Sequence, residues 1–317
     1  MNYVELGKSG VKVSEIVLGC WAIGGDYFGA KEDARSIACI QASFEMGVNS
    51  FDTAELYGRG HSEEVMGKAL KGIDRSRYVL IDKAWTSHFD KKGMAKALAD
   101  SMRRLRTDYL DVYFLHYPPV EQSIGEAMEN ILALKKSGVI KAVGVSNFSL
   151  SQMEEALRYG EIDVIQPCYS LLWRYDDRDV LPFCREKGIG VIPYSTLAQG
   201  LLTGALNKDT VFTDGRKNAA LFQPGVYEQC LEVTSFVSSI AEKYGKTTAQ
   251  TVINWLIHTP GISAPIVGGS SIRHAEENAG ATGWRLSDGD YAAIDARSRE
   301  FTDKMPEYEL FFNTNIK

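Results

Sequence analysis

The sequence lacks the features of disulfide-rich, metal-binding and membrane proteins, which is typical of an ordinary globular enzyme. Its five cysteines are scattered and include no C-x-x-C pair, so we expect reduced thiols and neither a disulfide framework nor a metal site. No apolar run reaches the roughly 18 residues that a bilayer span requires, and the first residues carry no basic segment followed by a long apolar one. We therefore expect a cytoplasmic protein with no membrane partner.

Positive charge is also scarce. The 317 residues include 35 lysines and arginines against 41 aspartates and glutamates, which gives a formal net charge of -6, and the basic residues form no run. Such a chain has no positive field to hold a polyanionic backbone, so we expect no nucleic-acid partner. Its 44% hydrophobic and 24% charged residues are typical of ordinary globular enzymes, and no pattern specifies an oligomeric state.

Short β-branched runs recur along the chain, and amphipathic helical segments separate most of them. The runs cover residues 15–19, 48–52, 78–83, 109–116, 140–146, 163–167, 190–195 and 263–268. This alternation predicts parallel strands with helical crossovers. A doubly wound sheet usually carries a G-x-G-x-x-G turn after its first strand, whereas LGCWAIGG has a different spacing. The pattern therefore favours a single (β/α)8 barrel over residues 1–317, with its active site at the carboxyl ends of the strands.

Two segments depart from the strand–helix rhythm. Residues 195–225 are rich in glycine, threonine and asparagine, and they are long enough to form a lid. Near the end of the chain, residues 287–299 predict an extra helix. A tail follows over residues 301–317, and its Phe311 and Phe312 favour packing over exposure to solvent.

Four polar side chains stand at or just beyond the ends of three neighbouring predicted strands. They are Asp52, Tyr57, Lys83 and His116. Taken singly, each has a structural explanation, as a helix cap, a surface residue or a core histidine. Their joint placement at the catalytic rim of one barrel instead indicates a shared reaction.

The chemistry that suits these residues is carbonyl reduction, in which hydride attack on carbon builds negative charge on oxygen. A tyrosine such as Tyr57 can supply the proton, but its phenol has a usual pKa of about 10 and needs a nearby positive charge. Lys83 supplies that charge, and Asp52 serves as the counter-ion that a buried ammonium requires. His116 is placed to orient the carbonyl oxygen.

With these residues in place, the sequence resembles the aldo-keto reductases over nearly its whole length. The resemblance is carried by FDTAELYGRGHSEEVMGKAL, DKAWTS, LDVYFLHYPP, IKAVGVSNFS, DVIQPCYSLL and GVIPYSTLAQGLLTG. The opening residues resemble the bacterial members, which begin with a hairpin that plugs the bottom of the barrel. The resemblance implies hydride transfer from a nicotinamide to an aldehyde, ketone or sugar, with the four rim residues as the catalytic set.

The resemblance also implies a cofactor that lies extended across the top of the barrel. Ser146, Asn147 and Gln166 would hold the nicotinamide amide, and Tyr194 would stack beneath the ring. The other implied cofactor contacts are Ser195, Leu197, Gln199, Gly200, Gly268, Ser270, Ser271, Arg273, Glu277 and Asn278.

The phosphate end of this cofactor site departs from the family pattern. Many relatives place a basic residue shortly after the glycine of the eighth strand, whereas Gly269, Ser270 and Ser271 stand here and the next cation is Arg273. Serines can bind either a phosphate or ribose hydroxyls. We therefore expect NADP(H) as cofactor, with weakened discrimination against NAD(H).

A second departure is Asp82, which precedes Lys83 where relatives more often carry a hydroxyl residue. Strand alternation should turn it away from the side that Lys83 faces. Substrate contacts are expected from aromatic and polar residues of the rim loops, a mixture that suits a sugar ring or an aromatic ketone. These residues are Trp21, Tyr27, Trp85 and Tyr117, and beyond them Asp26, Phe28, His88 and Trp173.

Two alternative functions fit the same residues. The first is an NAD(P)-dependent sugar or polyol dehydrogenase, because the catalytic set serves both directions of the reaction. The second is a regulatory barrel that binds the cofactor with little turnover, similar to the channel-associated members of the family. The intact catalytic set argues against this second alternative.

Overall fold

The strands of the protein form a short hairpin and one large parallel sheet. A computed structural model describes residues 1–29 and 32–306 of the chain. The hairpin pairs β1 (Tyr3–Glu5) with β2 (Lys12–Ser14). The parallel strands are β3 (Val17–Gly19), β4 (Ser50–Asp52), β5 (Val79–Ala84), β6 (Leu110–Leu115), β7 (Ile140–Ser146), β8 (Val164–Gln166), β9 (Gly190–Val191) and β10 (Ile266–Gly268).

The parallel sheet curls round until its two ends meet. Strands β3 to β9 pair in chain order, and β10 pairs with β3. Between β9 and β10, the Ser263 N–H donates to the oxygen of Val191 at 2.8 Å and the Ile266 N–H to the oxygen of Pro193 at 2.9 Å. These bonds close the sheet, so the (β/α)8 barrel that the strand–helix alternation predicts is confirmed.

Helices connect the strands and surround the barrel. They are α1 (Trp21–Gly24), α2 (Asp33–Glu45), α3 (His61–Ala69), α4 (Lys91–Leu105), α5 (Ile124–Ser137), α6 (Leu150–Ala156), α7 (Val180–Lys187), α8 (Val226–Lys243), α9 (Thr248–Ile257), α10 (Ile272–Ala279) and α11 (Asp288–Thr302). Local sequence fixes several helix starts. At α6, for example, Ser149 and Gln152 form a reciprocal capping box. No helix within residues 1–29 and 32–306 is long and apolar enough to cross a membrane.

The interior of the barrel is filled from below by the N-terminal hairpin. Leu6, Val11 and Val13 belong to the same buried cluster as the inward-facing residues Ile81 and Val112 of β5 and β6. The hairpin therefore closes the amino-terminal end of the barrel, as the resemblance implies. Only the carboxyl end of the strands is left to carry a site.

The two irregular segments differ in how much the structure describes. The connection between β9 and α8 contains three short 3-10 helices, Ala198–Thr203, Gly215–Asn218 and Ala220–Phe222. The extra helix expected after the barrel is confirmed as α11. Phe311 and Phe312 of the tail lie outside the described residues.

Candidate active site

Lys83 and Asp52 form a buried ion pair at the carboxyl ends of neighbouring strands. Asp52 is the last residue of β4, and Lys83 lies near the end of β5. The Lys83 Nζ lies 2.8 Å from each carboxylate oxygen of Asp52 and donates to the main-chain oxygen of Thr53 at 2.6 Å. The lysine side chain is 0% exposed. Because a buried ammonium is costly unless it is paired in this way, Asp52 and Thr53 fix the position of the charge.

Tyr57 lies above this ion pair, on the loop between β4 and α3. Its ring centroid is 5.0 Å from the Lys83 Nζ. On another side, the Tyr57 ring meets the edge of the His116 ring, with the centroids 5.7 Å apart. The structure thus brings together all four residues that the sequence singles out at the strand ends.

The pKa of Tyr57 is governed by burial. Burial raises the pKa of the Tyr57 phenol well above its usual value, and the Asp52 carboxylate raises it further. An ammonium near a phenol should by itself lower the phenol pKa, but Asp52 offsets the charge of Lys83 at contact distance. The lowering expected from the sequence is therefore not found in the protein alone. Tyr57 keeps its proton at neutral pH, as a proton donor must.

His116 is a neutral imidazole in this environment. Burial, followed by the positive charge of Lys83, holds the pKa of His116 well below its usual value. Its Nδ1 is buried and has no hydrogen-bond partner among the described residues. A neutral imidazole offers one donor and one acceptor, so His116 can orient a polar group but carries no charge to it.

Gln166, expected at the nicotinamide amide, contacts the ion pair in this structure. Its Nε2 donates to the second carboxylate oxygen of Asp52 at 2.8 Å, and Gln166 is buried. The Ser146 hydroxyl donates to the main-chain oxygen of Gln166 at 2.7 Å. These two residues therefore extend the polar network from the ion pair across β7 and β8.

Asn147 links this network to Tyr194. Its Nδ2 donates to the main-chain oxygen of His116 at 3.0 Å and to the Ser146 hydroxyl at 3.1 Å. Its Oδ1 accepts from the Tyr194 hydroxyl at 2.7 Å. Asn147 has a φ of 62°, a left-handed conformation that asparagine tolerates better than most residues. The four residues expected at the nicotinamide end thus form one connected group at the barrel top.

The segment expected at the pyrophosphate has an unusual backbone. Ser195, Ala198 and Gln199 have φ angles of 55°, 47° and 55°, and Gly200 has a φ of 101°. Left-handed residues of this kind are strained when they are not glycine, and they concentrate at functional sites. Within this turn, the Ala198 N–H donates to the oxygen of Ser195 at 2.7 Å and the Gly200 N–H to the oxygen of Leu197 at 2.9 Å. The Nε2 of Gln199 is buried and has no hydrogen-bond partner among the described residues.

The phosphate end of the expected cofactor site lies at the start of α10. The Ser271 hydroxyl caps this helix by accepting from the His274 N–H at 3.3 Å. The Ser270 N–H is directed to the Nδ1 of His274 at 3.2 Å. Arg273 is exposed and forms no ion pair with any described residue. A hydroxyl and a guanidinium are therefore available here, while Ser271 is committed to the helix.

The neighbouring residues hold the loop in place. Asn278 donates from its Nδ2 to the main-chain oxygen of Gly268 at 3.1 Å and is buried. Glu277 accepts from Gln250 through its main-chain oxygen at 3.2 Å. A Cβ at Gly268 would meet nothing within 4 Å, so the space above this loop is open.

The loop after β3 contacts the loop after β9 across the mouth of the barrel. The Tyr27 hydroxyl donates to the Oε1 of Gln199 at 3.2 Å, and a Cβ at Gly215 would lie 2.3 Å from the Tyr27 ring. Arg216 pairs with Asp214 at 2.7 Å and lies beside the main-chain oxygen of Gln199. Arg216 was not among the residues expected at the site. In the sequence it stands out only as a cation in a segment rich in small and polar residues.

Aromatic side chains surround Tyr57 and His116. The Trp85 ring meets the edge of the His116 ring at a centroid distance of 5.5 Å and of the Tyr117 ring at 5.7 Å. From the opposite side, the Trp21 ring lies 6.2 Å from the Tyr57 ring. Three of the four residues expected to contact substrate therefore lie against the Tyr57 or His116 ring, and Tyr27 packs on Trp21 with a centroid distance of 4.8 Å.

The remaining rim residues have other contacts. Asp26 accepts from the main-chain N–H of Gly58 at 2.5 Å, next to Tyr57 in the chain. The Nδ1 of His88 lies 2.9 Å from a carboxylate oxygen of Glu55. Trp173 is buried, which the prediction of a rim position did not anticipate. Phe28 packs edge-on against Trp21, with the centroids 5.1 Å apart.

Neither thiol nor metal chemistry is indicated at the site. All five cysteines are buried and unpaired, and burial raises the pKa of the Cys20 and Cys168 thiols well above the usual value. Such thiols are poor nucleophiles. In the part of the chain that the structure describes, no three histidine, cysteine or acidic side chains are grouped to hold a metal ion.

Known proteins resemble this chain over most of its length. The model of the aldo/keto reductase family matches residues 15–299. A NADH-specific methylglyoxal reductase of Escherichia coli is 32% identical over 313 residues, which cover 92% of this chain and 96% of that protein.

Solved structures give the same result for the fold. A glycerol dehydrogenase from Gluconobacter oxydans superposes with a TM-score of 0.86 at 28% identity, covering 98% of both chains. An aldo/keto reductase from Klebsiella pneumoniae, solved with NADP and acetate, has a TM-score of 0.77 at 30% identity, also covering 98% of both chains.

Proposed function

Because the chain belongs to the aldo/keto reductase family, we propose that it reduces the carbonyl group of a small aldehyde, ketone or sugar, with NADPH or NADH as hydride source and Tyr57 as proton donor. The observation that carries this proposal is the buried Lys83–Asp52 pair beneath the Tyr57 ring. The pair places one fixed positive charge where a phenol must lose its proton.

The four rim residues divide the reaction between them. The reduced nicotinamide supplies a hydride to the carbonyl carbon when it is bound. Tyr57 transfers its hydroxyl proton to the carbonyl oxygen, and Lys83 stabilises the phenolate that remains. Asp52 keeps the ammonium from moving away. Neutral His116 hydrogen-bonds the carbonyl oxygen and so fixes its direction toward Tyr57.

The residues at the barrel top fit an extended dinucleotide. Asn147, Ser146 and Gln166 offer donors and acceptors that match a carboxamide, and the Tyr194 ring provides an aromatic face. The left-handed turn of residues 195–200 is the proposed pyrophosphate contact. The buried Nε2 of Gln199, which has no hydrogen-bond partner among the described residues, supplies a donor there.

Cofactor choice depends on the start of α10. The E. coli relative is NADH-specific, and the Klebsiella structure contains NADP. Ser270 and the exposed Arg273 can contact a 2'-phosphate, but within residues 1–29 and 32–306 neither has an ion pair or helix cap that would fix it there. We expect measurable kcat/KM with both cofactors. A preference for NADP(H) beyond about a thousandfold, roughly 4 kcal/mol, would contradict this account of the phosphate end.

A second candidate direction is oxidation of a polyol. It is supported by the likeness to a glycerol dehydrogenase over 98% of the chain. The same four residues serve it, since Tyr57 then accepts the proton that it would otherwise donate. Burial raises the pKa of Tyr57, so the phenol is protonated at neutral pH, which is the form that the reduction requires.

The proposed function is tested by a panel of aldehydes, ketones, sugars and polyols, monitored by cofactor absorbance with NADPH and NADH in parallel. We expect reduction of several carbonyls to exceed polyol oxidation at neutral pH. If the purified protein binds a nicotinamide cofactor but turns over no member of the panel, the proposal is wrong and the cofactor-binding regulatory role gains support.

A further inference from the structure

Asp82 lies on the outer face of the barrel wall, directly behind Lys83. Strand alternation turns it toward the helices, and the strand register places it opposite Tyr113 of β6. Both residues are 0% exposed. Burying a carboxyl costs free energy unless the group is paired, so a buried aspartate next to the reacting lysine is expected to have a structural or functional role.

Asp82 takes over a main-chain hydrogen bond at the end of the sheet. The ladder between β4 and β5 ends with Asp52 opposite Ile81, and the Thr53 N–H still donates to the oxygen of Ile81 at 2.9 Å. If the parallel ladder continued, the Lys83 N–H would donate a hydrogen bond to the main-chain oxygen of Thr53. Instead, the Lys83 N–H donates to the Oδ1 of Asp82 at 2.8 Å.

Because the Lys83 N–H bonds to Asp82, the Thr53 carbonyl can accept a hydrogen bond from the Lys83 side chain. The Lys83 Nζ donates to that oxygen at 2.6 Å, in addition to its bonds with Asp52. Without an acceptor at position 82, the Lys83 N–H would have to compete with its own ammonium for the same carbonyl. The Asp82 carboxyl thus keeps one of the three oxygens that hold the ammonium in place.

The other oxygen of Asp82 belongs to a buried charge cluster. Glu63 of α3 is 0% exposed and lies 2.6 Å from the Nε of Arg104 of α4. The Oδ2 of Asp82 has no hydrogen-bond donor among the described residues, and Asp82 interacts with Glu63. Arg104 is bonded to Glu63, while burial and the Glu63 charge raise the pKa of the Asp82 carboxyl. The Arg104 side chain also packs on Gly60, where a Cβ would lie 2.6 Å from its Nε.

We propose that Asp82 is a positioning residue for the carbonyl reduction proposed above, on which this inference rests. Its Oδ1 fixes the Lys83 main chain, and its carboxyl interacts with Glu63. Through Glu63, Arg104 and Gly60, it couples the strand that carries Lys83 to the end of the loop that carries Tyr57.

This role makes the site sensitive to pH. Burial and the Glu63 charge raise the pKa of Asp82 well above its usual value, so its neutral form persists to higher pH than that of an exposed aspartate. The facing groups are Glu63 on α3, Arg104 on α4, Tyr113 on β6 and Lys83 on β5 itself. When Asp82 loses its proton, two carboxylates oppose each other, and the pKa of Tyr57 rises further because Asp82 is among the charges that raise it.

The test compares Asp82→Asn with Asp82→Ala. Asparagine keeps an oxygen for the Lys83 N–H and an N–H for Glu63, so we expect kcat within about threefold of the wild type at neutral pH and no alkaline decline that depends on residue 82. Alanine removes the acceptor, so we expect kcat to fall at least about tenfold with KM for the carbonyl within about threefold.

Asp111→Asn is the matched control, because Asp111 is also buried on the barrel wall but pairs with Arg75 at 2.7 Å, away from Lys83. We expect it to change stability without changing the pH profile of kcat. If Asp82→Ala keeps kcat within threefold, or if Asp82→Asn is as impaired as Asp82→Ala, the positioning role is wrong.

A readout without substrate separates this inference from the proposed function. The ultraviolet phenolate signal of Tyr57 is obtained as the difference from a Tyr57→Phe protein, in the wild type and in the Asp82→Asn background. We expect Tyr57 to ionise at lower pH with asparagine at position 82. An identical titration would overturn the coupling even if the carbonyl panel shows turnover, and a shifted titration would support it even if the panel does not.

Discussion

At the residue scale, the Lys83 ammonium is the charge on which the proposed chemistry depends. It is fully buried and is held by three oxygen contacts, two from Asp52 and one from Thr53. Asp52 also accepts a hydrogen bond from the side-chain amide of Gln166. Each of these groups is held at the end of a strand, so the position of the Lys83 ammonium is well defined.

Replacing Lys83 with methionine removes this charge and keeps most of the side-chain volume. We expect Lys83→Met to lower kcat at least about a hundredfold, because no cation then stabilises the phenolate. Cofactor Kd, measured by fluorescence titration, should stay within about threefold. A variant that retains kcat within tenfold of the wild type would show that the ammonium is not part of the reaction.

His116 leads to a prediction about pH. The pKa of His116 lies well below its usual value of about 6.5, so the neutral form persists as pH falls through that region. Because the unfolded chain takes up this proton first, His116 lowers the free energy of unfolding as pH falls from the unfolded-state pKa to the lower folded-state pKa, and has no such effect above that range.

We therefore expect kcat to show no histidine ionisation between about pH 6 and pH 8. The measurement is a pH profile of kcat for a carbonyl that the wild type accepts, with His116→Gln as the control. An ionisation in that range which disappears in His116→Gln would contradict a neutral His116.

The identity of the rim residues could be predicted from the sequence, but their electrostatics could not. Asp52, Tyr57, Lys83 and His116 follow from their places at strand ends. The direction in which the pKa of Tyr57 shifts depends on its burial and on how closely Asp52 neutralises Lys83. Both are properties of the packed structure.

At the element scale, the sequence pattern predicts the positions of the strands better than their lengths. The run 190–195 was expected as one strand, yet β9 covers only Gly190–Val191. Pro193 lacks an N–H and cannot continue a ladder, so pairing beyond this point is limited to isolated hydrogen bonds. The run 263–268 was also expected as one strand, yet β10 covers only Ile266–Gly268. Its first residues bond to the irregular segment after β9 and not to a regular strand.

The loop between β9 and α8 gives a prediction about cofactor binding. Gly200 has a φ of 101°, and a Cβ there would meet nothing closer than 3.8 Å, so Gly200→Ala is opposed by backbone strain and not by a clash. We expect a loss of stability of about 1–2 kcal/mol and a rise in cofactor Kd, because the N–H groups of this turn would shift.

Gly72→Ala is the matched control, since Gly72 has a φ of 88° and open space around it but lies at the opposite end of the barrel. It should lose similar stability with cofactor Kd unchanged. If both variants bind the cofactor as the wild type does, this turn does not contact it.

At the scale of the whole molecule, the barrel fold followed from eight alternating units and the exclusion of a dinucleotide fingerprint. The hairpin closes one end of the barrel, so chemistry is confined to the other. The contact between the Tyr27 and Gln199 loops across the mouth could not be predicted, because it joins residues 172 positions apart in loops without periodic pattern.

The central claim is that Tyr57 donates the proton. Its most direct test is Tyr57→Phe, assayed for kcat with a carbonyl that the wild type reduces and for cofactor Kd by fluorescence titration. The account predicts that kcat falls at least about a hundredfold while Kd stays within about threefold, since only the proton donor is lost. Retention of kcat within tenfold of the wild type would contradict it.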